Sequence, residues 1–178
     1  MSQQRCGTTE YQSFLESKFP EYKEARKLVE SETAHWIQHN KSNSSNIITI
    51  PVVVHVVWNT NAENISDAQV FSQIDVLNAD FRRNNNDANN TPSYFQNVAA
   101  DTEIEFCLAN IAPNGSSTNG ITRTQTSLTS FSISSDNMKS TSSGGIDPWP
   151  QDDYLNIWVC DLGGGLLGYA TPPSNWPN

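Results

Sequence analysis

The residues with the most suggestive chemical spacing are His35 and His39, which lie four positions apart in a stretch with helical periodicity. Side chains four apart share one face of a helix, so two such imidazoles could bind the same zinc ion. A zinc-protease helix also carries a glutamate directly after the first histidine as general base, and here that position is Trp36. No third ligand follows at the required spacing. The pattern therefore favours two half-exposed helix histidines over a metal site.

His55 is the third histidine, and it stands inside the β-branched run Val52–Val57. In that setting a neutral core histidine with one satisfied hydrogen bond is commoner than a functional one. No nucleophile is indicated, because the sequence has no Gly-x-Ser-x-Gly elbow, no phosphate-binding loop and no paired Cys-x-x-Cys. Gly163–Gly165 follows a strand but precedes no helix, which argues against a phosphate site. Asp152 and Asp153 are adjacent, and we interpret them as a solvated pair.

The three cysteines divide into two kinds by their surroundings. Cys107 and Cys160 lie in apolar, strand-like runs, which predicts buried core thiols. Cys6 lies instead in the polar stretch Arg5-Cys6-Gly7-Thr8 near the N-terminus. An odd count leaves at least one thiol unpaired within the chain. A thiolate on a flexible, glycine-flanked segment can reach a zinc ion and occupy its open position, which would keep a protease latent.

The overall charge restricts the partners. The 178 residues include 10 basic and 19 acidic side chains, for a net charge of −9. Binding to nucleic acid or to an anionic membrane requires a positive surface, so we expect neither partner. The acidic side chains could supply oxygen ligands to a calcium ion, although no EF-hand loop spacing occurs.

The polar composition indicates a secreted or extracellular protein. Only 16% of the residues are charged, and asparagine, serine and threonine are abundant. No run is apolar and long enough to span a bilayer. The sequence shows no signal peptide after Met1, so we expect that a signal has been removed. Glycosylation sequons such as those at Asn43, Asn64 and Asn114 are weak support, because polar loops produce them by chance.

The first forty residues have helical character. Residues 8–40 read as two helices separated by Pro20, since proline interrupts a helix. Thr8, Thr9 and Glu10 offer capping groups to the first helix, and the second extends from about Glu21 to His39. Residues 40–46 contain no apolar side chain. This stretch is therefore predicted to be an exposed linker and is the best candidate for the domain boundary.

An α/β layer follows the linker. The β-branched run Ile47–Trp58 predicts a central strand buried on both faces, with regular pairing after Pro51 or a bulge there. Ser66 and Gln69 form a capping box for a helix whose apolar residues then repeat on one face: Val70, Ile74, Leu77 and Phe81. Residues 103–111 predict a second strand, and a strand-helix-strand order gives a right-handed crossover with parallel strands.

The remaining elements are predicted with a long loop between them. Residues 112–146 are rich in serine, threonine, asparagine and glycine, which indicates a loop of functional or mobile character. Tyr154–Leu162 predicts a third strand, and Leu166–Ala170 a short further one. The fold class is therefore α/β, or α+β, with a helical N-terminal segment and a mostly parallel sheet backed by a helix.

The segments taken in order resemble the pappalysin family of metzincin zinc proteases, and ulilysin-like bacterial enzymes in particular. The matching segments span residues 47–172 and are Ile50–Val57, Ile65–Gln69, Gln73–Arg82, Ile104–Ala109, Gly120–Arg123, Tyr154–Cys160 and Gly165–Ala170. The Arg5–Thr8 stretch resembles the cysteine switch of the pro-segment in some members. The resemblance implies that 1–46 is a pro-segment with an activation linker and that 47–178 is the first part of a metzincin catalytic domain.

The family resemblance also implies roles for a few residues. Cys6 would be the latency ligand of the zinc ion. Leu166, Leu167, Gly168, Tyr169 and Ala170 would form the edge strand that binds a protein or peptide substrate in antiparallel orientation. In the complete enzyme, three histidines would hold zinc and a glutamate would take a proton from the bound water.

The family's zinc-helix motif, His-Glu-x-x-His-x-x-Gly-x-x-His, does not occur in the 178 residues. We therefore expect a secreted endopeptidase precursor represented by a part that is itself inactive and has an exposed sheet edge. The alternative is a non-catalytic extracellular binding module, or a relic, built on the same sheet.

Overall fold

A computed structural model describes residues 5–39 and 46–172, which form two compact units. Among these residues, the first unit contains 5–39, 130–136 and 162–172, and the second contains 46–129 and 137–161. The predicted helical segment thus shares a unit with two stretches from the later part of the chain. Within the described ranges, no helix combines the length and the apolar content needed to cross a bilayer.

The first unit begins with a two-residue strand and two helices. Strand β1 is Arg5–Cys6, helix α1 is Thr8–Lys18 and helix α2 is Pro20–His39. The predicted break is confirmed, because Pro20 opens α2, where the missing N–H has no intrahelical role. The predicted threonine cap is wrong: α1 begins after Gly7, and no side chain caps it.

The second unit is built on one long strand. Strand β2, Ile48–Trp58, is followed by helix α3, Asp67–Phe81, and by strands β3, Ile104–Leu108, β4, Ile121–Gln125, and β5, Leu155–Val159. All three later strands pair with β2 in parallel. The predicted parallel sheet is therefore confirmed, and its centre is buried on both faces from Val52 to Val57.

The prediction for Pro51 holds on one edge of β2 and fails on the other, because pairing with β3 is already regular on its N-terminal side. Ile48 pairs with Ile104, and Pro51 itself lies opposite Cys107. The N–H of Ile48 and the carbonyl of Val52 bond towards β3, so by strand alternation Pro51 faces the other edge. There β5 begins pairing only at Val52, so no ladder bond to Pro51 is lost.

Helix α3 covers one face of this sheet. The capping box is present in full, with Ser66 accepting from the Gln69 N–H and the Gln69 side chain accepting from the Ser66 N–H. Val70 and Ile74 are buried against Val54, Val56 and Phe106. The apolar stripe predicted from the sequence thus forms the helix–sheet core. Burial of each such side chain stabilises the fold by roughly 1.5–3 kcal/mol when burial is complete.

Three details of the second unit differ from the predictions. The 112–146 loop contains β4, whose Thr-Arg-Thr sequence gives little strand signal because Arg123 faces Asp67 and Asn64 at the surface. Cys107 is exposed rather than buried, because it lies on the face of β3 opposite Phe106. Cys160 is half-buried, and burial raises the pKa of its thiol to about 12.

Candidate functional site

The short strand β6, Leu166–Gly168, lies in the first unit and pairs with β1 rather than with the four-stranded sheet. The two strands are parallel, with Arg5 opposite Leu166 and Cys6 opposite Gly168. The Gly7 N–H extends the pairing by donating to the Gly168 carbonyl at 2.8 Å. The predicted strand is thus shorter than Leu166–Ala170, and the N-terminal segment covers one of its two edges.

Thr8 adds a side-chain bond at the end of this pairing. Its hydroxyl oxygen accepts from the Ala170 N–H at 3.0 Å and lies 3.2 Å from the Cys6 sulfur. Since the hydroxyl oxygen is already an acceptor, its hydrogen is available for the sulfur. The threonine expected to cap α1 therefore joins the two strands instead, and it orients the thiol next to it.

Cys6 itself is exposed. The hydrogen bond from Thr8 lowers the pKa of the Cys6 thiol, because a donor stabilises the thiolate. An exposed thiol with a lowered pKa is the form in which cysteine binds metals and reacts.

The helices of the first unit pack around a small aromatic cluster. Tyr11 is 1% exposed, Leu15 is 4% exposed and Tyr22 is fully buried. Ile133 and Tyr169, from the two later stretches, pack against these side chains. The N-terminal segment is therefore fixed by a hydrophobic core as well as by strand pairing.

A carboxylate lies beside this cluster. Asp136 accepts hydrogen bonds from the hydroxyls of two tyrosines, Tyr11 through Oδ2 and Tyr169 through Oδ1, the latter at 2.5 Å. The two rings have centroids 4.6 Å apart. Burial, and then the nearby Asp136 carboxylate, raise the pKa of Tyr11, so its hydroxyl remains a donor at neutral pH.

A cleft of about 350 Å³ opens next to β6 in the same unit. Its walls come from α1, through Glu10, and from the two later stretches, through Ser130, Phe131, Ser132, Ile133, Gly163, Gly164 and Leu166. The N-terminal segment thus contributes one wall of the cleft that borders the predicted substrate strand.

The described residues do not provide a metal centre. They contain no group of three or more His, Cys, Asp or Glu side chains that could hold a metal ion. His35 and His39 are exposed on α2, as predicted, with ring centroids 4.1 Å apart. His55 is fully buried and bonded to Thr122 and Asn156, which confirms the predicted core histidine.

No family model and no curated protein matches the sequence, but solved structures do. Mature mirolysin from Tannerella forsythia, in complex with a cleaved peptide, is 59% identical with a TM-score of 0.69, over 72% of this chain and 47% of its own. Mirolysin in complex with compound 9 is also 59% identical, with a TM-score of 0.64, over 67% of this chain and 44% of its own. A mutant of Tannerella forsythia promirolysin is 48% identical with a TM-score of 0.74, over 94% of this chain and 54% of its own.

The chain belongs to the pappalysin family. The family and the α/β fold predicted from the ordered segments are both confirmed, since mirolysin is a pappalysin-type metzincin. The chain spans about half the length of the mirolysin structures it matches, between 44% and 54%.

The residues that sequence reasoning missed in this pappalysin site are Tyr11, Asp136 and Tyr169 as a bonded set. Asp136 lies in a serine-rich loop and is 125 positions from Tyr11. One signal was available in the sequence, because Ser134, Ser135 and Asp136 are residue types that favour turns. In the structure Asp136 has φ 51°, a conformation that aspartate tolerates better than most residues. That signal marks a tight turn but does not identify the bonding partner.

Proposed function

We propose that this chain is the latent precursor part of a secreted zinc-dependent endopeptidase, with residues 1–46 as pro-segment and 47–178 as the first part of the catalytic domain. The observation that carries the proposal is the parallel pairing of Arg5–Cys6 with Leu166–Gly168. By family resemblance that strand binds the peptide substrate, so the N-terminal segment occupies the place of a substrate and blocks it.

The extents of the matches support the proposed division. Promirolysin matches 94% of the chain, whereas mirolysin in complex with compound 9 matches 67% and mature mirolysin in complex with a cleaved peptide matches 72%. The additional match is close to the length of the proposed pro-segment. Mirolysin in complex with a cleaved peptide supports a peptide as the substrate of the whole enzyme.

The direction of β1 explains how such a segment would inhibit without being cut. Substrate is expected to run antiparallel to Leu166–Ala170, whereas Arg5–Cys6 runs parallel to Leu166–Gly168. The reversed chain makes strand hydrogen bonds but exchanges the positions of its carbonyl and N–H groups along the edge. A catalytic group placed for the substrate carbonyl then meets the wrong part of each peptide bond.

The described residues do not fit a complete zinc site, so no step of hydrolysis is derived from them. Cys6 is the one side chain that we assign to zinc, and this assignment rests on the resemblance and on its exposed, thiolate-favouring environment. We further propose that the 178-residue chain alone is inactive. Export is supported by the polar composition, and calcium binding remains an expectation from the acidic composition.

The test uses a synthetic peptide of residues 5–39. Added to mature mirolysin, which is 59% identical over 72% of this chain, it should inhibit peptide hydrolysis, because it carries the strand that pairs with β6. A Cys6→Ser peptide keeps the strand and helices but loses the thiol, so it should inhibit roughly tenfold or more weakly if cysteine ligates zinc.

A peptide with scrambled residues 5–18 serves as the second control. Equal inhibition by the native and the scrambled peptide would contradict strand-directed latency. Equal inhibition by the native and the Cys6→Ser peptides would contradict a cysteine switch but would still agree with inhibition through strand pairing. No inhibition by any of the three peptides would favour the alternative, a non-catalytic binding module.

A further inference from the structure

Asp136 and Tyr169 form a binding site, here called the receptor, for one side chain of the N-terminal segment. The carboxylate lies on the 130–136 stretch, and its Oδ1 accepts from Tyr169, just after β6. Its Oδ2 accepts from Tyr11 of α1. The receptor thus belongs to the proposed catalytic part, and the phenol that fills it belongs to the proposed pro-segment.

The receptor is held in place by its own loop. Phe131 forms a parallel bridge with Leu162, and its carbonyl accepts from the Gly163 N–H at 2.8 Å. Beyond it, the N–H groups of Ser135 and Asp136 both donate to the Ser132 carbonyl. These bonds position the carboxylate without any contribution from the N-terminal segment, so the site is preorganised for its occupant.

The occupant matches the receptor in shape and in chemistry. Tyr11 packs its ring against Tyr169, with centroids 4.6 Å apart, and Ile133 contributes apolar surface. Its hydroxyl then reaches the carboxylate at the end of that apolar wall. An aromatic body with a hydrogen-bond donor at its tip is the ligand that such a site selects, and a phenol has both.

We propose that Asp136 and Tyr169 form a tyrosine-binding site that anchors the pro-segment through Tyr11 and retains it after the chain is cut between residues 40 and 46. Among the described residues, the strand pairing of β1 comprises Arg5 and Cys6 and is extended by single bonds from Gly7 and to Thr8. Such a short parallel pair is weak alone, whereas a charge-assisted hydrogen bond in a buried cluster is among the stronger single contacts. The proposal rests on the proposed function only in treating 1–46 as a removable pro-segment.

The chain itself contains a matched control for the anchor. Tyr22 lies in the same cluster as Tyr11 and is equally buried, at 0% against 1% exposed. Its hydroxyl has no hydrogen-bond partner among the described residues. Tyr11→Phe and Tyr22→Phe therefore remove the same atom from the same core, but only Tyr11→Phe removes a bond to Asp136.

The experiment places a site-specific protease sequence within residues 40–46 of the 178-residue chain. After cleavage, the dissociation constant of the N-terminal piece is measured by native mass spectrometry and by dilution on a size-exclusion column. Tyr11→Phe should raise this constant about 10- to 100-fold, and Tyr22→Phe should change it less than about twofold. Equal effects of the two variants would overturn the proposal.

Asp136→Asn provides a second test of the same hydrogen bond. Asparagine tolerates the left-handed backbone conformation of residue 136 but replaces the carboxylate by a neutral amide. It should weaken retention about tenfold or more, and Tyr11→Phe should then add little, since the two residues form one bond. Additive effects in the double variant would contradict a direct Tyr11–Asp136 interaction. Melting curves of the uncut variants verify that each has folded.

These outcomes are separable from those of the proposed function, because retention is measured without zinc or hydrolysis. If retention of the N-terminal piece depends on Tyr11 but the 5–39 peptide does not inhibit mirolysin, the tyrosine-binding site is supported and the inhibitory role of the N-terminal segment is contradicted. If the peptide inhibits mirolysin but retention does not depend on Tyr11, the inhibitory role is supported and the tyrosine-binding site is contradicted.

Discussion

At the scale of single residues, Asp136 and His55 are stabilised by different means. Asp136 accepts hydrogen bonds from two hydroxyls that come from distant parts of the chain. His55 is buried, and its tautomer is set by an amide whose orientation is fixed: Asn156 Nδ2 donates to the Trp149 carbonyl, so Asn156 Oδ1 accepts from His55 Nε2. His55 Nδ1 is then the acceptor for the Thr122 hydroxyl, 2.7 Å away.

This arrangement predicts a pH dependence of stability. Burial lowers the pKa of His55, partly opposed by its bond to Asn156, so the folded state takes up this proton at a lower pH than the unfolded chain. Stability should therefore fall as the pH drops below about 6.5, the unfolded value, until the folded group also titrates.

Urea unfolding of the wild type and of His55→Gln, measured between pH 5 and pH 8, tests this prediction. Glutamine cannot titrate, so the variant should lose the part of the acid sensitivity that His55 contributes, while its loss of stability at pH 8 reflects packing alone. Parallel pH profiles for the two proteins would show that His55 does not couple protonation to folding.

At the scale of elements, sequence reasoning succeeded where a periodic pattern met a clear end signal. Helix α3 was predicted closely because the Ser66–Gln69 box precedes an apolar stripe, and β2 because β-branched residues run through it. Strand β4 was missed because Arg123 replaces an apolar residue, and its partner β2 supplies the burial that its own sequence lacks. Such pairing depends on tertiary context, which propensity does not contain.

The capping box of α3 gives a direct prediction. Ser66→Ala removes the acceptor for the Gln69 N–H and should lower the free energy of unfolding by about 1 kcal/mol. Ser72→Ala is the matched control, because Ser72 bonds only to the Gln69 carbonyl within the helix, and alanine is the better helix former. That control should change stability by less than about 0.5 kcal/mol.

Chemical denaturation of both serine variants, followed by circular dichroism, measures the difference. Equal losses from the two substitutions would show that the cap contributes no more to stability than an ordinary surface hydroxyl.

At the scale of the whole molecule, the family could be identified from sequence because ordered segments with modest individual specificity accumulate along the chain. The anchor of the N-terminal segment could not, since Tyr11 and Asp136 are 125 positions apart and neither lies in a recognisable motif. The predicted linker at residues 40–46 falls outside the described residues except for Asn46, so its exposure remains a prediction.

The proposed inactivity of the 178-residue chain has a simple measurement. The purified protein, incubated with zinc and then dialysed, should retain well below one equivalent of metal, because Cys6 is the only ligand we assign to it. It should also fail to cleave a fluorescent casein substrate after the linker is cut. Stoichiometric zinc together with hydrolysis would overturn both the assignment and the proposed inactivity.

The paired hydroxyls on Asp136 have a consequence for the proposed mature enzyme. Once Tyr11 has left, Asp136 loses the hydrogen bond from its hydroxyl, and Ile133 and Tyr169 lose the ring that packed against them. A partly buried carboxyl group beside an apolar wall attracts arginine, lysine or tyrosine side chains. Activation would then do more than uncover a strand, because it would create an acidic recess that biases which polypeptides are held there.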